Sequence, residues 1–549
     1  SAAANIFYDV EKYFNPQINL TNHKTGEVAV MGNIPIRSAR NTSTTGVNLT
    51  NFHTLNWEQQ FNQHKLTALA GFSVETFNNG SFSANNQGFL DNTLTELNAG
   101  SLGTLASGTS SVSKLLSYFS RVNYSYQGKY FAEANFRYDG SSRFAAGKRW
   151  GFFPSFSAGW LVSEEGFLKG SSAIDNLKLR ASWGRLGNQQ IALYSYVDAI
   201  ALGYNYSFNN TVVGGAATAQ LTDPNITWET TTMSNIGVDI GLFKNRLTGE
   251  IDVFNKTTSN ILRQVTVPGQ VGDLAGPYRN IGSVSNKGVE VTVNYRDKIG
   301  AFTYNIGANI TYVKNKVIDI KGNKYYSGTT IITEGAPINS FFGLQAEGIF
   351  QTDKEVQNHA FQSATTKAGD IAYKDVDGNK VINDADRIII GNSIPKYTYS
   401  FTLGAGYKGF QLTAFIQGVT GVNTYAYGNL SQPYRNGAGV TEEWLTESWT
   451  PQNPGARLPR LTTATGFPQN FLTSSFWLQD ASYLRLKNVQ LSYRVPQKWL
   501  QQLTVFVNAQ NFLTFSKFKL GDPERQVTRG DIIEYPNAKS VTAGVNLTF

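Results

Sequence analysis

Hydrophobic and polar residues alternate along this chain with a period of two, over segments longer than soluble sheets usually use. Across 129–139, Tyr130, Ala132, Ala134, Phe136 and Tyr138 take one side; Phe131, Glu133, Asn135, Arg137 and Asp139 take the other. Val289, Val291, Val293 and Tyr295 alternate in the same way with Glu290, Thr292, Asn294 and Arg296. Phe302, Tyr304, Ile306, Ala308, Ile310 and Tyr312 oppose Thr303, Asn305, Gly307, Asn309 and Thr311, and the pattern returns in Val541, Ala543, Val545, Leu547 and Phe549. Strict alternation marks a strand with two different faces. Runs of about 9–13 residues exceed the usual ~5–6 of a soluble strand and suit the ~9–11 that cross a bilayer at a tilt. Tyr and Trp near the ends of the apolar faces fit an interfacial girdle. The chain is therefore expected to be all-β, a transmembrane antiparallel β-barrel.

The connections alternate as well. Tight or short links are expected near Gln127–Gly128, Phe243–Arg246, Asp297–Gly300 and Lys408–Gly409. Large irregular loops are expected near 78–113, 188–224, 259–280, 314–396, 419–481 and 514–537. Short periplasmic turns alternating with long extracellular loops are the outer-membrane barrel pattern. About 15–16 strands fit the chain, with 46–549 as the C-terminal part of a barrel and 1–45 as a weakly defined N-terminal segment or loop. A barrel must close without a free edge, so further strands are expected to lie outside this chain or to be supplied separately. One irregularity stands out. Leu484 and Leu486 hold one phase while Val489, Leu491, Tyr493 and Val495 hold the other, which predicts a β-bulge near Lys487–Asn488.

Composition narrows the class. Aromatics make up 13% and charged residues only 16%, against about a quarter in soluble domains. The net charge of +8 is scattered rather than striped, so no nucleic acid is expected as a partner. With no cysteine, disulfides and Cys-based zinc or iron–sulfur sites are excluded. No apolar run approaches the ~18 residues of a membrane helix. The opening SAAANIFYDVEKYF lacks the basic start and apolar core of a secretory signal, so targeting information is expected to have been removed or to sit on a longer chain.

The strongest local chemical motif spans 375–386. Counting from Asp375, oxygen donors fall at positions 1, 3, 5, 9 and 12 (Asp375, Asp377, Asn379, Asn383, Asp386), with the Val381 carbonyl at 7 and Ile382 as apolar anchor. This is EF-hand spacing, in which a hard cation such as Ca2+ collects six to eight oxygens. Lys380 stands where glycine is expected, and Asp386 where a longer glutamate is. The same residues also fit an Asp/Asn-rich turn held by side-chain-to-backbone bonds, and both readings stay open. Catalysis finds little support. His53 and His64 are placed on paired strands around a turn near Asn62, close enough to approach each other, yet no nucleophile motif accompanies them. The chain is expected not to be an enzyme. Arg121, Glu133, Arg137, Lys178, Arg180, Asp239, Glu250, Asp252, Glu290 and Arg296 fall on polar faces, as a substrate path or a mutually paired wall. Tyr425, Tyr427, Tyr434, Trp444, Trp449, Phe471 and Trp477 sit in the long loops, to stack on cargo or to pack. Arg529-Gly530-Asp531 spells an adhesion tripeptide that a chain this long carries by coincidence.

Several segments resemble a known family. LKLRASWGRLGNQQI, ITWETTTMSNIGVDIGLFKNRLTGEIDVFNKTTSNIL, NIGSVSNKGVEVTVNY, GDIAYKDVDGNKVINDADRIIIGNSIPKYTYSF, YLRLKNVQLSYRVPQKW and SVTAGVNLTF are similar to the barrel of SusC/RagA-type TonB-dependent outer-membrane transporters. The resemblance runs from about Asn51 to Phe549. It implies a 22-stranded barrel in a Bacteroidota outer membrane, an N-terminal plug, and a SusD-like surface lipoprotein as lid. It also implies import of oligosaccharides or peptides energised by TonB, acting through an N-terminal region not seen here. The end of the chain, with Val545, Leu547 and Phe549, resembles the signal that barrel-assembly machinery reads in outer-membrane proteins, and outer-membrane lipid is the expected surrounding. A docking scaffold without transport and a passive pore are the alternative readings.

Overall fold

The computed structural model describes residues 1–549 apart from 31–35, 219, 272–273, 427, 429–430, 436–438, 464–467, 498–499 and 526–535. One sixteen-stranded sheet forms the wall. Its strands, numbered here in chain order, are β1 Ala2–Asn15, β2 Ser38–Phe61, β3 His64–Gln87, β4 Leu105–Tyr126, β5 Tyr130–Ser141, β6 Trp150–Leu161, β7 Ile174–Asn188 and β8 Glu229–Leu242. The second half comprises β9 Leu247–Ser259, β10 Ser283–Ile299, β11 Phe302–Asp319, β12 Tyr397–Tyr407, β13 Phe410–Thr420, β14 Tyr483–Arg494, β15 Gln502–Ser516 and β16 Ser540–Thr548. Each pairs antiparallel with its neighbours in sequence, and among the described residues β1 and β16 are each bonded on one side only.

The period-two pattern fixes what each face meets. On β5 the outer face runs from Tyr130 to Tyr138, and on β11 from Tyr304 to Tyr312. Both runs take nine residues, eight steps of ~3.4 Å or roughly 27 Å of strand, which at a ~40° tilt rises about 21 Å, most of the ~25 Å height of an apolar barrel band. Aromatic pairs mark its two rims. Tyr130 stacks on Trp160 (6.4 Å) and Phe410 meets Tyr493 (4.4 Å) at the short-turn end. Tyr138 stacks on Trp150 (4.7 Å) and Tyr312 meets Tyr397 (5.1 Å) at the long-loop end. Apolar side chains between the rims stay exposed, Ile236 to 67%, because lipid rather than protein covers them.

At the short-turn end the links are 62–63, 127–129, 243–246, 300–301 and 408–409, with longer ones at 162–173 and 495–501. Lys408 (φ 44°) and Gly409 (φ 88°) both take the left-handed region, the two-residue turn whose twist matches antiparallel strands. The predicted bulge is present. Across β13–β14, Phe415 faces Asn488 and Ile416 faces Leu486, so Lys487 is the extra residue. On the other side Leu486 faces Leu513 and Asn488 faces Gln510.

Some expected boundaries move. The loop expected at 78–113 shrinks to 88–104, because β3 runs to Gln87 and β4 starts at Leu105. Those extensions are Asn-, Ser- and Thr-rich, project past the apolar band, and so carry no hydrophobic alternation to betray a strand. Residues 1–45 are not weakly structured throughout: β1 pairs with β2 over its whole length. The stretch expected from 314 starts after Asp319. A further link on the long-loop side, 142–149, is much shorter than the expected loops. The largest buried apolar cluster lies in the loops: Phe341, Leu344, Ile371, Tyr373, Tyr425, Trp444, Leu458 and Trp477 form it, while a smaller one joins Val284 and Val317 of the wall to Ile320. Phe144, Phe153, Ile191, Ile226 and Trp228 form another.

Candidate functional site in the inner wall and the outer mouth

The inner face carries the charges that alternation assigned to it, and most are paired. Arg180, Gly237 and Asp252 are neighbours in register across β7, β8 and β9. With no side chain at Gly237, the Arg180 guanidinium reaches over it to Asp252 (3.0 and 3.1 Å) while Nε bonds Asp239 (2.8 Å). A Cβ at Gly237 would lie 2.4 Å from the Asp252 carboxylate. Asn235 donates to the same carboxylate at 2.9 Å. Farther round, Arg121 bonds Asn135 (2.7 Å), Asn135 bonds Glu133 (2.6 Å), and Arg137 bridges Asp139 (2.8 Å). Lys178 lies over the Phe131 ring at 5.1 Å. Glu250, Glu290 and Arg296 lie on the same polar face and take part in no ion pair among the described residues. The paired wall thus describes Arg180, Asp239, Asp252 and Arg137, while a groove of about 450 Å3 opens beside Lys65, Glu133, Lys178 and Arg180.

At the outer end two long loops, 320–396 and 421–482, fold into one body. Asp370 is fully buried and receives Arg460 Nε (2.5 Å), Asn470 Nδ2 (2.9 Å) and the Lys367 backbone N–H (2.9 Å). Asn470 in turn accepts from the Ile371 N–H (2.9 Å), and Leu344 bonds the Thr473 carbonyl (2.8 Å). Burial pushes the Tyr373 hydroxyl far above the usual tyrosine range. Tyr425, Trp444, Trp449 and Trp477 are buried, Phe471 is half-buried, and Tyr434 is exposed. The aromatics are therefore mostly loop core; Tyr427 and the 529–531 tripeptide lie outside the described residues.

The last loop is tied to the inner wall by the bulge. Lys487 and Asn488 both turn inward, so Lys487 joins Arg485 on Glu524, with Nζ at 2.9 and 3.0 Å from its two oxygens. Arg485 also bonds Asp522 (2.5 Å), and both side chains are about 5% exposed or less. Burial raises the Asp522 carboxyl, but Arg485 and the backbone N–H groups of Glu524 and Asn537 hold it below the ordinary carboxylate range. Asn537 bonds Asp522 and Glu524, each at 2.9 Å. Beneath the loops lies a cavity of about 920 Å3, bordered by Phe341, Arg387, Tyr425, Phe471, Tyr483 and Arg525.

The 375–386 segment lies in the first of these loops. Asp375, Asp377 and Asp386 bring carboxylate oxygens within 4.8 Å of one another. Asp375 accepts the Gly378 and Lys380 backbone N–H groups, both at 2.8 Å. Asn379 accepts from Val381 N–H (2.8 Å), and the Val381 carbonyl accepts from Asn383 Nδ2 (3.2 Å). Lys380 takes φ 65°, the left-handed turn for which position 6 normally uses glycine. Val381 bridges Phe361 in parallel, and Ile382 packs against the buried mouth cluster. Asp386 is buried and closes the short turn 384–386 by a capping box with Asn383, accepting from Val376 and Asn383 N–H at 2.8 Å each. Burial raises its carboxyl, and these backbone donors more than reverse that, leaving it below the ordinary range. An all-oxygen donor set of this kind suits a hard cation.

The histidines do not come together. His53 faces Phe72 and His64 faces Phe61 across β2–β3, eight ladder positions apart. His53 stacks on Phe72 (4.8 Å), while His64 bonds the Tyr124 hydroxyl (2.7 Å) in the aromatic rim. Paired strands around one turn do hold them, but eight residues of strand separate His53 from the rung that carries His64. Val545 and Leu547 lie exposed on β16, with Phe549 just beyond it. The residues that sequence reasoning missed are Asp370, Arg460 and Asn470: no spacing motif links positions about a hundred residues apart.

Comparison with known proteins agrees with this architecture. A family model described as "TonB dependent receptor-like, beta-barrel" matches residues 6–512. TonB-dependent receptor P3 of Formosa agariphila is 30% identical over 90% of this chain and 52% of its own length. TonB-dependent receptor SusC of Bacteroides thetaiotaomicron is 29% identical over 79% of the chain and 44% of its own. Among solved structures, the RagAB peptide transporter superposes with a TM-score of 0.82 and 26% identity, covering 100% of this chain and 59% of that one. The chain spans about half the length of the curated relatives it matches.

Proposed function

Because the chain belongs to the TonB-dependent receptor-like β-barrel family and is an outer-membrane barrel of the SusC/RagA type, we propose that it forms most of the wall of a TonB-dependent importer. Its cargo is of the oligosaccharide or peptide class. Strands beyond these sixteen cover the single-sided edges β1 and β16 and complete a 22-stranded barrel. A plug fills the charged interior, TonB acts on that N-terminal region, and a SusD-like lipoprotein seats on the loop body at the mouth. The observation that carries this reading is the superposition on the RagAB transporter over the whole chain, together with a polar inner wall under a folded mouth. The chain's work is enclosure and recognition rather than catalysis.

In this reading, Asp375, Asp377, Asn379, the Val381 carbonyl, Asn383 and Asp386 hold a Ca2+ ion that stiffens the mouth, with Ile382 linking the loop to the buried cluster. Isothermal titration of the full-length protein with calcium should give heat that Asp375→Ala abolishes; no heat at physiological calcium would remove the ion. Val545, Leu547 and Phe549 serve the barrel-assembly machinery. Deleting Phe549 should lower the amount of protein in the outer membrane, and unchanged levels would contradict that role. The import reading itself is tested by native mass spectrometry of the complex extracted gently from its own membrane. A plug-bearing polypeptide with one SusD-like lipoprotein is expected. A plugless chain among unrelated envelope proteins would overturn it.

A further inference from the structure

On the lipid-facing side of β10 and β11 the apolar pattern ends abruptly. Along β11 the outward residues are Tyr304, Ile306, Ala308, Ile310 and Tyr312, then Lys314 and Lys316; along β10, Val293, Val291 and Val289 give way to Lys287. Lys287 lies directly opposite Lys314, and Ser285 opposite Lys316. All three lysines are exposed. Lys314 stands one outward position, about 7 Å, beyond Tyr312, whose ring meets Tyr397 in the outer aromatic rim. That level is where headgroups lie.

Two observations set this patch apart. Like charges directly opposite on a ladder repel, yet no carboxylate lies within 4.0 Å of any of the three among the described residues. Glu290, the acid nearest Lys287 along the chain, stands on the opposite, polar face; Asp319 pairs with Lys321 (2.8 Å), and Glu334 accepts the Ile320 and Gly322 N–H groups. Second, the lysines line a groove of about 440 Å3 together with Ser285, Ile318 and Gly335. Ser285 is only 5% exposed, and its hydroxyl has no hydrogen-bond partner. A buried donor left unpaired is costly, and here it adjoins three ammonium groups.

We propose that this groove binds the phosphorylated headgroup of an outer-leaflet glycolipid. The lysine ammonium groups neutralise the phosphate, Ser285 donates to one of its oxygens, and the acyl chains lie down the Val289–Tyr312 face. The lysine stems suit such a depth, since their methylenes cover apolar surface while the charge stays at the headgroup level. This rests on placement in the outer membrane and is independent of import.

The test uses the full-length protein in detergent micelles, followed by native mass spectrometry during titration with monophosphorylated lipid A. Lysine near a charged membrane surface contributes about fivefold each, so Lys287→Gln/Lys314→Gln/Lys316→Gln should weaken retention on the order of a hundredfold. The corresponding triple arginine variant should keep it. Lipid A stripped of phosphate should bind the wild type no better than the glutamine variant. Heat-modifiable gel mobility confirms that each variant is folded. Equal retention by wild type and glutamine variant, or indifference to the lipid's phosphate, would overturn the proposal. So would inorganic phosphate displacing the lipid at equal concentration, because that would make the groove a free-anion site.

Discussion

At the residue scale, the wall depends on places where a side chain is absent or extra. Gly237 is the clearest, since the Arg180 guanidinium crosses the space a Cβ would fill. Gly237→Ala should destabilise the barrel by about 1–3 kcal/mol, the usual range for overpacking, read as a lower temperature of heat-modified gel mobility. Gly249→Ala, where the nearest atom to a new Cβ is 3.6 Å away, should be close to neutral. Equal effects would show that Arg180 is not held in this way. Asp386 makes a prediction about pH. Its carboxyl sits below its ordinary value, so its contribution is present above about pH 4 and is lost as pH falls through the depressed folded value. Tryptophan emission from the mouth cluster around Trp444 and Trp477, against which Ile382 packs, should therefore hold steady down to about pH 4 and change below it. In Asp386→Asn that acid transition should vanish.

At the element scale, the strand faces and tight turns were legible in the sequence because lipid imposes period two wherever the wall crosses the membrane. The bulge was legible for the same reason: one extra residue inverts the phase, and Leu486 and Val489 could not otherwise share a face. Strand length was not legible beyond the band. Residues 78–87 and 105–113 meet water on their exposed faces, so Asn, Ser and Thr there carry no alternation, although the ladder continues. The site was less legible than the fold. The 375–386 motif is local and could be read, whereas the Asp370–Arg460–Asn470 knot joins distant segments. The bulge has a mechanical consequence too, since it turns Lys487 toward Glu524. Arg485→Ala leaves Asp522 buried without its partner, which costs on the order of 3–5 kcal/mol. Limited proteolysis of intact cells should then cut within 517–539 sooner than in the wild type, with the wall left whole. An unchanged cleavage rate would show that the loop is held by other contacts.

At the scale of the whole molecule, neighbouring strands pair only with one another, and the largest buried apolar cluster sits in the loops at one end. Loss of the mouth need not unfold the wall. Leu458→Ala, in the largest loop cluster, should cost about 2–5 kcal/mol locally and weaken capture of the proposed SusD-like lipoprotein in pull-downs. Heat-modified mobility of the barrel should stay within a few degrees of wild type. Coupled loss of both would mean that loop body and wall fold as one unit.

The knot at Asp370 also bears on how such a protein changes over generations. A hairpin of the wall can be lengthened, shortened or exchanged without rewiring its neighbours, because its bonds end at the adjoining strands. The two great loops have no such independence. Asp370 belongs to one, while Arg460 and Asn470 belong to the other, and a buried carboxylate tolerates the loss of neither partner. Inheritance should therefore treat 320–396 and 421–482 as a single cassette. Swapping one alone between relatives would strand a charge, whereas moving the pair together would carry a new mouth onto an old wall.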